Sequence, residues 1–152
     1  MITYFIPFYN EEKKNIYKFL KSLKSFIKKE TLSRYIIIDD GSKDKTGKIL
    51  KKFLDGVDKK TKKKIKFFTN MNNKGIGYSF RVALKNCTTP YIMTLPSDND
   101  LPLLNYSKFV KKKIDLVLFY PINLEKYSRN RYLLSMLFRT IYGYFFNLKI
   151  HY

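Results

Sequence analysis

Two apolar, strand-like runs in this chain end in carboxylates. Ile36-Ile37-Ile38 runs into Asp39-Asp40-Gly41-Ser42, and Tyr91-Ile92-Met93-Thr94-Leu95 runs through Pro96-Ser97 into Asp98-Asn99-Asp100. A carboxylate at the end of a buried strand is costly unless a cation or strong donors meet it. A hard divalent cation that also holds substrate phosphates meets that need, because Mg²⁺ is commonly bound by one or two carboxylates plus phosphate oxygens. A solvated turn is the alternative reading, since Asp, Asn and Ser also favour turns and helix caps. Two acidic strand ends, with the glycine-bearing segment Asn73-Lys74-Gly75-Ile76-Gly77 between them, favour a site.

Elements that position these groups follow from the spacing of apolar residues. Short β-rich runs at Ile2–Phe8, Arg34–Asp39, Ile65–Thr69, Tyr91–Leu95 and Asp115–Tyr120 alternate with helical patterns at Glu11–Lys29, Asp44–Leu54, Gly75–Asn86 and Leu103–Lys112. In the first helix Ile16, Phe19, Leu20, Leu23, Phe26 and Ile27 recur at i, i+3, i+4 intervals. In the second, Ile49, Leu50, Phe53 and Leu54 form the stripe, and Ser42 or Asp44 can cap it. Continuous apolar strands separated by helices predict an α/β domain: a mainly parallel sheet covered on both faces. Ligands of such sheets bind beyond the carboxyl ends of the strands. Pro7–Glu11, Asp39–Ser42 and Asp98–Asp100 all follow such ends, so three polar clusters are expected on one edge. The tail predicts a further helix over Asn130–Asn147, whose Leu134, Leu137, Phe138, Ile141, Tyr142 and Phe145 share one face. That face suits packing on a sheet or lying on a membrane.

Composition narrows the chemistry. With 152 residues, 45% hydrophobic and 17% aromatic, the chain supports one ordered domain. A formal net charge of +19 points to an anionic partner, but lysine dominates it, and the run Lys59–Lys66 looks like a solvated connection. One cysteine, Cys87, cannot form an internal disulfide, and the lone histidine, His151, stands at the extreme end, which disfavours Ser-His and Cys-His catalysis. Neither a signal peptide nor an apolar run of the roughly 20 residues a membrane helix needs is visible. The expectation is a cytoplasmic protein, soluble or peripheral on a membrane. The glycines of Gly75-Ile76-Gly77 suit the approach of backbone N–H groups to an anion at a helix start. They lack both the P-loop pattern and the position of a dinucleotide fingerprint.

In order and spacing, these residues resemble the family 2 glycosyltransferases of GT-A fold, and within them the dolichol-phosphate and polyprenyl-phosphate sugar synthases. The resemblance rests on Ile6-Pro7-Phe8-Tyr9-Asn10-Glu11-Glu12, Ile38-Asp39-Asp40-Gly41-Ser42-Lys43-Asp44-Lys45-Thr46, Asn73-Lys74-Gly75-Ile76-Gly77 and Asp98-Asn99-Asp100-Leu101. It implies that Pro7, Tyr9 and Glu11 line a base and ribose pocket, and that Asp39, with Asp40, accepts hydrogen bonds from the base. It further implies that Gly75 contributes to substrate binding, that Asp98 lies near ribose and diphosphate, and that Asp100, with Asp98, ligates Mg²⁺ or Mn²⁺ as a DXD motif. Arg131 would sit beside the diphosphate, with Ser135 following it. The implied reaction is inverting transfer of a sugar from a UDP- or GDP-sugar to a polyprenyl or dolichyl phosphate or a glycan. Residues 1–152 are then a single domain, expected to lack the C-terminal acceptor-side portion of its relatives. Phe119-Tyr120-Pro121 stands where the synthases commonly carry Gly-Ser-Arg.

A competing reading is a nucleotide-sugar-binding or membrane- and partner-binding module without turnover, including an oligomer. Nucleic acid is not an expected partner, because charge alone favours it and no recognised motif accompanies the charge.

Overall fold

The computed structural model describes residues 1–13, 16–97, 103, 106 and 128–146, with the side chains of 131, 132, 139, 142 and 146 outside that description. Four strands, β1 (Ile2–Phe8), β2 (Arg34–Asp39), β3 (Ile65–Thr69) and β4 (Tyr91–Thr94), pair in the order β3-β2-β1-β4, every pair parallel. Between them run α1 (Ile16–Lys29), α2 (Thr46–Asp55), the short α3 (Lys59–Lys62) and α4 (Ile76–Asn86). The expected strand Asp115–Tyr120 and helix Leu103–Lys112 lie outside the described residues, apart from Leu103 and Tyr106.

Both faces of the sheet are covered. On one, Ile2, Tyr4, Ile6 and Phe8 of β1 meet Phe19, Leu23 and Ile27 of α1 and Leu50 of α2. On the other, Phe5, Ile36 and Ile38 meet Ala83 and Phe80 of α4. Successive residues of a strand point to opposite faces, so a strand buried on both sides must be apolar throughout. The run Ile36-Ile37-Ile38 meets that demand and is fully buried. All six residues read as the stripe of α1 are buried. Each such side chain contributes about 1.5–3 kcal/mol. Tyr4 stacks on its register partner Tyr35 at 5.4 Å, with Phe26 edge-on to both, and burial pushes the Tyr4 hydroxyl up to about 12.

Several boundaries differ from expectation. Helix α1 begins at Ile16, not Glu11, because the amides of residues 10–12 bond across to the loop after β2. The lysine run is not a mere connection: Asp58 caps α3 by accepting from the Thr61 amide, and β3 begins at Ile65. Neither Ser42 nor Asp44 is the N-cap of α2; Lys45 is. Asp44 nonetheless accepts from the Thr46 amide at 2.9 Å, so its carboxylate serves the helix start from one position further out. Cys87 is the C-cap of α4.

Residues Met1–Lys112 form one compact unit and Lys113–Tyr152 a second. The second contains α5 (Arg129–Phe146), within a residue of the expected span. Its Leu133, Leu134, Leu137, Phe138, Ile141 and Phe145 are exposed. Among the described residues no helix is long and apolar enough to cross a membrane.

Candidate functional site

The strand order places β2 and β3 on one side of β1 and β4 on the other, so the direction of winding reverses at β1. Beyond the carboxyl ends of the strands flanking such a reversal, an open sheet leaves a crevice. On the β4 side the last bond runs from the Leu95 amide to the Phe5 carbonyl at 2.8 Å. Pro7 is the next residue of β1 facing that way and has no N–H to continue the ladder. On the β2 side pairing persists to the strand ends, where the Asp40 amide donates to Phe8 O and the Asn70 amide to Asp39 O, each at 2.9 Å.

Beyond β1 the chain turns through Asn10 at φ 51°, a left-handed conformation that asparagine tolerates better than most residues. This turn aims the loop at the segment following β2. Five hydrogen bonds clasp them: Asn10 N to Ser42 Oγ, Lys43 N to Asn10 Oδ1, Glu11 N to Thr46 Oγ1, Glu12 N to Asp44 Oδ2 and Lys45 N to Glu12 Oε2, all between 2.8 and 3.0 Å. The Lys45 ammonium adds an ion pair to Glu12 at 3.1 Å. Lys45, first through its amide and then its side chain, holds the Glu12 carboxyl below the usual range. Burial pushes Asp44 up, but bonds from the Thr46 hydroxyl and amide and from the Glu12 amide outweigh it and leave Asp44 lowered.

Asp39 and Asp40 are both buried, at 3% and 4% exposure, and each meets backbone donors. Asp39 Oδ1 accepts from the Ser42 amide at 3.1 Å, while Oδ2 lies so close to Gly47 that a Cβ there would approach to 2.6 Å. The glycine thus lets the first turn of α2, with its positive dipole end, seat directly on the carboxylate. Asp40 Oδ1 accepts from Asn70 Nδ2 at 2.6 Å and from the Lys74 amide at 3.2 Å, and Asn70 also reaches Ser79 Oγ at 3.1 Å. Asp40 therefore ties the loop after β3 and the start of α4 to the end of β2. Gly41, at φ +69°, makes this possible: a Cβ would overlap the backbone of Asn72 and lie 2.6 Å from Asn73 N.

Of the residues read from sequence, Pro7, Tyr9, Glu11, Asp39, Asp40 and Gly75 belong to this edge. Tyr9 is exposed and Glu11 buried. Gly75, at φ +80° with open space where a Cβ would be, precedes α4. Asp98 and Asp100 lie outside the described residues, as does the side chain of Arg131; Ser135 is exposed on α5, in the second unit. Sequence reasoning gave no role to Asn10, Glu12, Thr46 or Asn70, and only a capping role to Ser42 and Asp44; these six residues build the edge. Their signal was proximity in sequence to the strand ends, with side chains that accept from amides or, for Asn70, donate to a carboxylate.

Among the described residues no group of three or more His, Cys, Asp or Glu could hold a metal. Asp39 and Asp40 are already committed to protein donors.

The reversal at β1, the parallel sheet and the helices on both faces define the α/β architecture of the GT-A fold. Residues 3–144 match the model of glycosyl transferase family 2, and the chain belongs to that family. The uncharacterized protein MJ0544 of Methanocaldococcus jannaschii is 32% identical over 127 residues, covering 81% of this chain and 51% of that protein. TarS of S. aureus matches at a TM-score of 0.51 and 28% identity, over 64% of this chain and 16% of its own. The structure of TarS 1-349 in complex with UDP matches at 0.52 and 28%, over 64% of this chain and 27% of its own. The chain thus spans about half the length of its Methanocaldococcus relative and about a quarter or less of these TarS chains.

Proposed function

We propose that the chain is a nucleotide-sugar glycosyltransferase domain whose donor binds at the carboxyl edge of the sheet. The observation carrying this reading is that the Asn10–Glu12 and Ser42–Thr46 loops are clasped together at the strand-order reversal, with Asp39 and Asp40 buried beneath. The UDP complex of TarS supports a uridine nucleotide as the first donor to test. In this reading Pro7, Tyr9 and Glu11 flank the base and ribose, Asp39 accepts from the base, and Asp40 acts mainly by holding the Asn72–Gly75 loop.

A Mg²⁺ or Mn²⁺ ion held by Asp98 and Asp100 would stabilise negative charge on the departing diphosphate. By the family resemblance, Arg131 would add positive charge at the same group, with Ser135 following it in sequence. The acceptor oxygen forms a bond to the anomeric carbon as the bond from that carbon to the diphosphate breaks, inverting its configuration. A polyprenyl or dolichyl phosphate needs no protein base, because it is already anionic at neutral pH; a glycan hydroxyl does need one. The chain's positive charge and the exposed apolar face of α5 favour the lipid phosphate, met at the cytoplasmic surface of an anionic membrane.

A nucleotide-release assay with UDP- and GDP-sugars tests turnover. Asp100→Ala should abolish Mn²⁺-dependent donor binding while leaving thermal stability nearly unchanged. Metal-dependent binding that survives in this variant would return Asp98-Asn99-Asp100 to a simple turn. Donor binding without nucleotide release, with and without lipid acceptor, would favour the binding-module reading.

A further inference from the structure

At the opposite, amino-terminal edge of the sheet lies a cavity of about 90 Å³. Arg34, Lys63, Lys64 and Lys66 line it, with Thr3 and Thr88 between them, and no carboxylate does. We propose that this cavity is a binding site for a single phosphate group, distinct from the donor site.

Two of the four cations are fixed in place. Lys64 Nζ donates to Ile27 O at 3.0 Å and Glu30 O at 2.7 Å, at the end of α1. Lys66 Nζ donates to Asn86 O at 3.0 Å, at the end of α4. Both ammoniums are held against helix ends, so little further ordering is needed to present them to an anion. The helix ends do not consume the charge, since each carries about half a negative charge against four full positive ones. Glu30, whose carboxylate accepts from Ser33 Oγ at 3.5 Å, leaves the cluster still positive by about two charges. Among the described residues none of the four is in an ion pair. Arg34 spends one N–H on its neighbour's carbonyl, Ser33 O at 3.3 Å, which leaves the rest of the guanidinium fork for an oxyanion.

Size selects the ligand class. A cavity of 90 Å³ has room for one tetrahedral oxyanion with a few waters, whereas small-molecule pockets run about 300–1,000 Å³. A nucleotide does not fit; a phosphate group does, either free or as a headgroup. Lys59 and Lys60 of α3, just before Lys63 in sequence, are exposed cations that a membrane headgroup could also meet; Lys62 is paired with Asp55 at 3.6 Å.

The test is an amide-resolved NMR titration of the full chain with inorganic phosphate, against chloride at matched ionic strength. Parallel sedimentation uses phosphatidylcholine vesicles with and without phosphatidic acid. Saturable, phosphate-specific shifts should appear at Arg34, Lys64, Lys66 and Thr88. Arg34→Gln with Lys63→Gln should weaken binding about tenfold or more, because two charge-assisted contacts are lost; Arg34→Lys with Lys63→Arg should restore most of it. Lys64 and Lys66 are left intact because they also hold helix ends. Binding to phosphatidic acid vesicles that free phosphate does not compete, and that the glutamine pair abolishes, identifies a headgroup as the source; competition identifies the free anion. Equal shifts with phosphate and chloride, no binding in either arm, or binding indifferent to the glutamine pair would overturn the proposal. So would phosphate shifts confined to Asn10–Glu12 and Ser42–Thr46, which would assign the anion to the donor edge.

Discussion

The two edges of this sheet are built by the same rule with opposite signs. At the carboxyl edge α2 and α4 begin, and carboxylates of Asp39, Asp40, Glu12 and Asp44 accept from backbone amides. At the amino edge α1 and α4 end, and ammoniums of Lys64 and Lys66 donate to backbone carbonyls. A parallel sheet with helical crossovers segregates orphan N–H groups to one edge and orphan C=O groups to the other. Side-chain charge follows, negative above and positive below. An overall charge of +19 hides this division, because the acidic groups are few but concentrated where the strands end.

The largest expected effect comes from forcing the carboxyl edge apart. Gly41→Ala must place a Cβ on the Asn72–Asn73 backbone at positive φ, and should cost about 3 kcal/mol or more in chemical denaturation. Stability close to wild type would mean that the loop after β3 does not pack on Gly41. A smaller and paired effect compares the edges directly. Asp40→Ala leaves the Lys74 amide without its acceptor and Asn70 with only its bond to Ser79, and should cost about 2 kcal/mol; Lys64→Met releases two carbonyls nearer to solvent, and should cost about 1 kcal/mol. Equal costs, or a larger one for Lys64, would reverse the ranking of the two edges.

The smallest effect is in acid. The folded Glu12 and Asp44 carboxyls titrate below their ordinary values, so their contribution is present above about pH 4.3 and 3.9 respectively and is lost as pH falls through the lowered values. Both groups are half-buried and still reached by solvent, which screens them, so the loss is modest. Glu12→Gln with Asp44→Asn should flatten the acid limb of a thermal-stability profile and leave its neutral region nearly unchanged. An unaltered acid limb would show that the clasp does not titrate.

How much of this was legible beforehand depends on the kind of interaction. Strands β1, β2 and β3 and the buried stripe of α1 follow from apolar spacing, which is a local property, and they agree with the structure residue for residue. Gathering Pro7–Glu11 and Asp39–Ser42 on one edge was also readable, because parallel topology dictates it. The clasp was not: Thr46 accepting from Glu11, or Asp44 from Glu12, joins loops more than thirty residues apart, and no periodicity marks such pairs. The late start of α1 is a consequence of that clasp. The amino-edge cavity was equally invisible, since Lys63, Lys64 and Lys66 read as part of a solvated run until strand pairing sets Arg34 beside them. Asp98 and Asp100 remain readings of sequence pattern and family resemblance.

The most direct measurement is calorimetric titration of the chain with UDP in the presence of Mn²⁺, carried out on wild type and on two carboxylate deletions. Asp39→Ala removes a buried carboxylate at the donor edge; Asp55→Ala removes an exposed one from the far end of α2, where it pairs with Lys62 at 3.6 Å. Folding of each variant is checked by circular dichroism. The account predicts saturable binding to wild type, weakened at least about tenfold by Asp39→Ala, as expected for a lost hydrogen bond to a charged group, and unchanged by Asp55→Ala. No binding to wild type, or equal binding to wild type and a folded Asp39→Ala variant, would contradict the assignment of the nucleotide to the carboxyl edge.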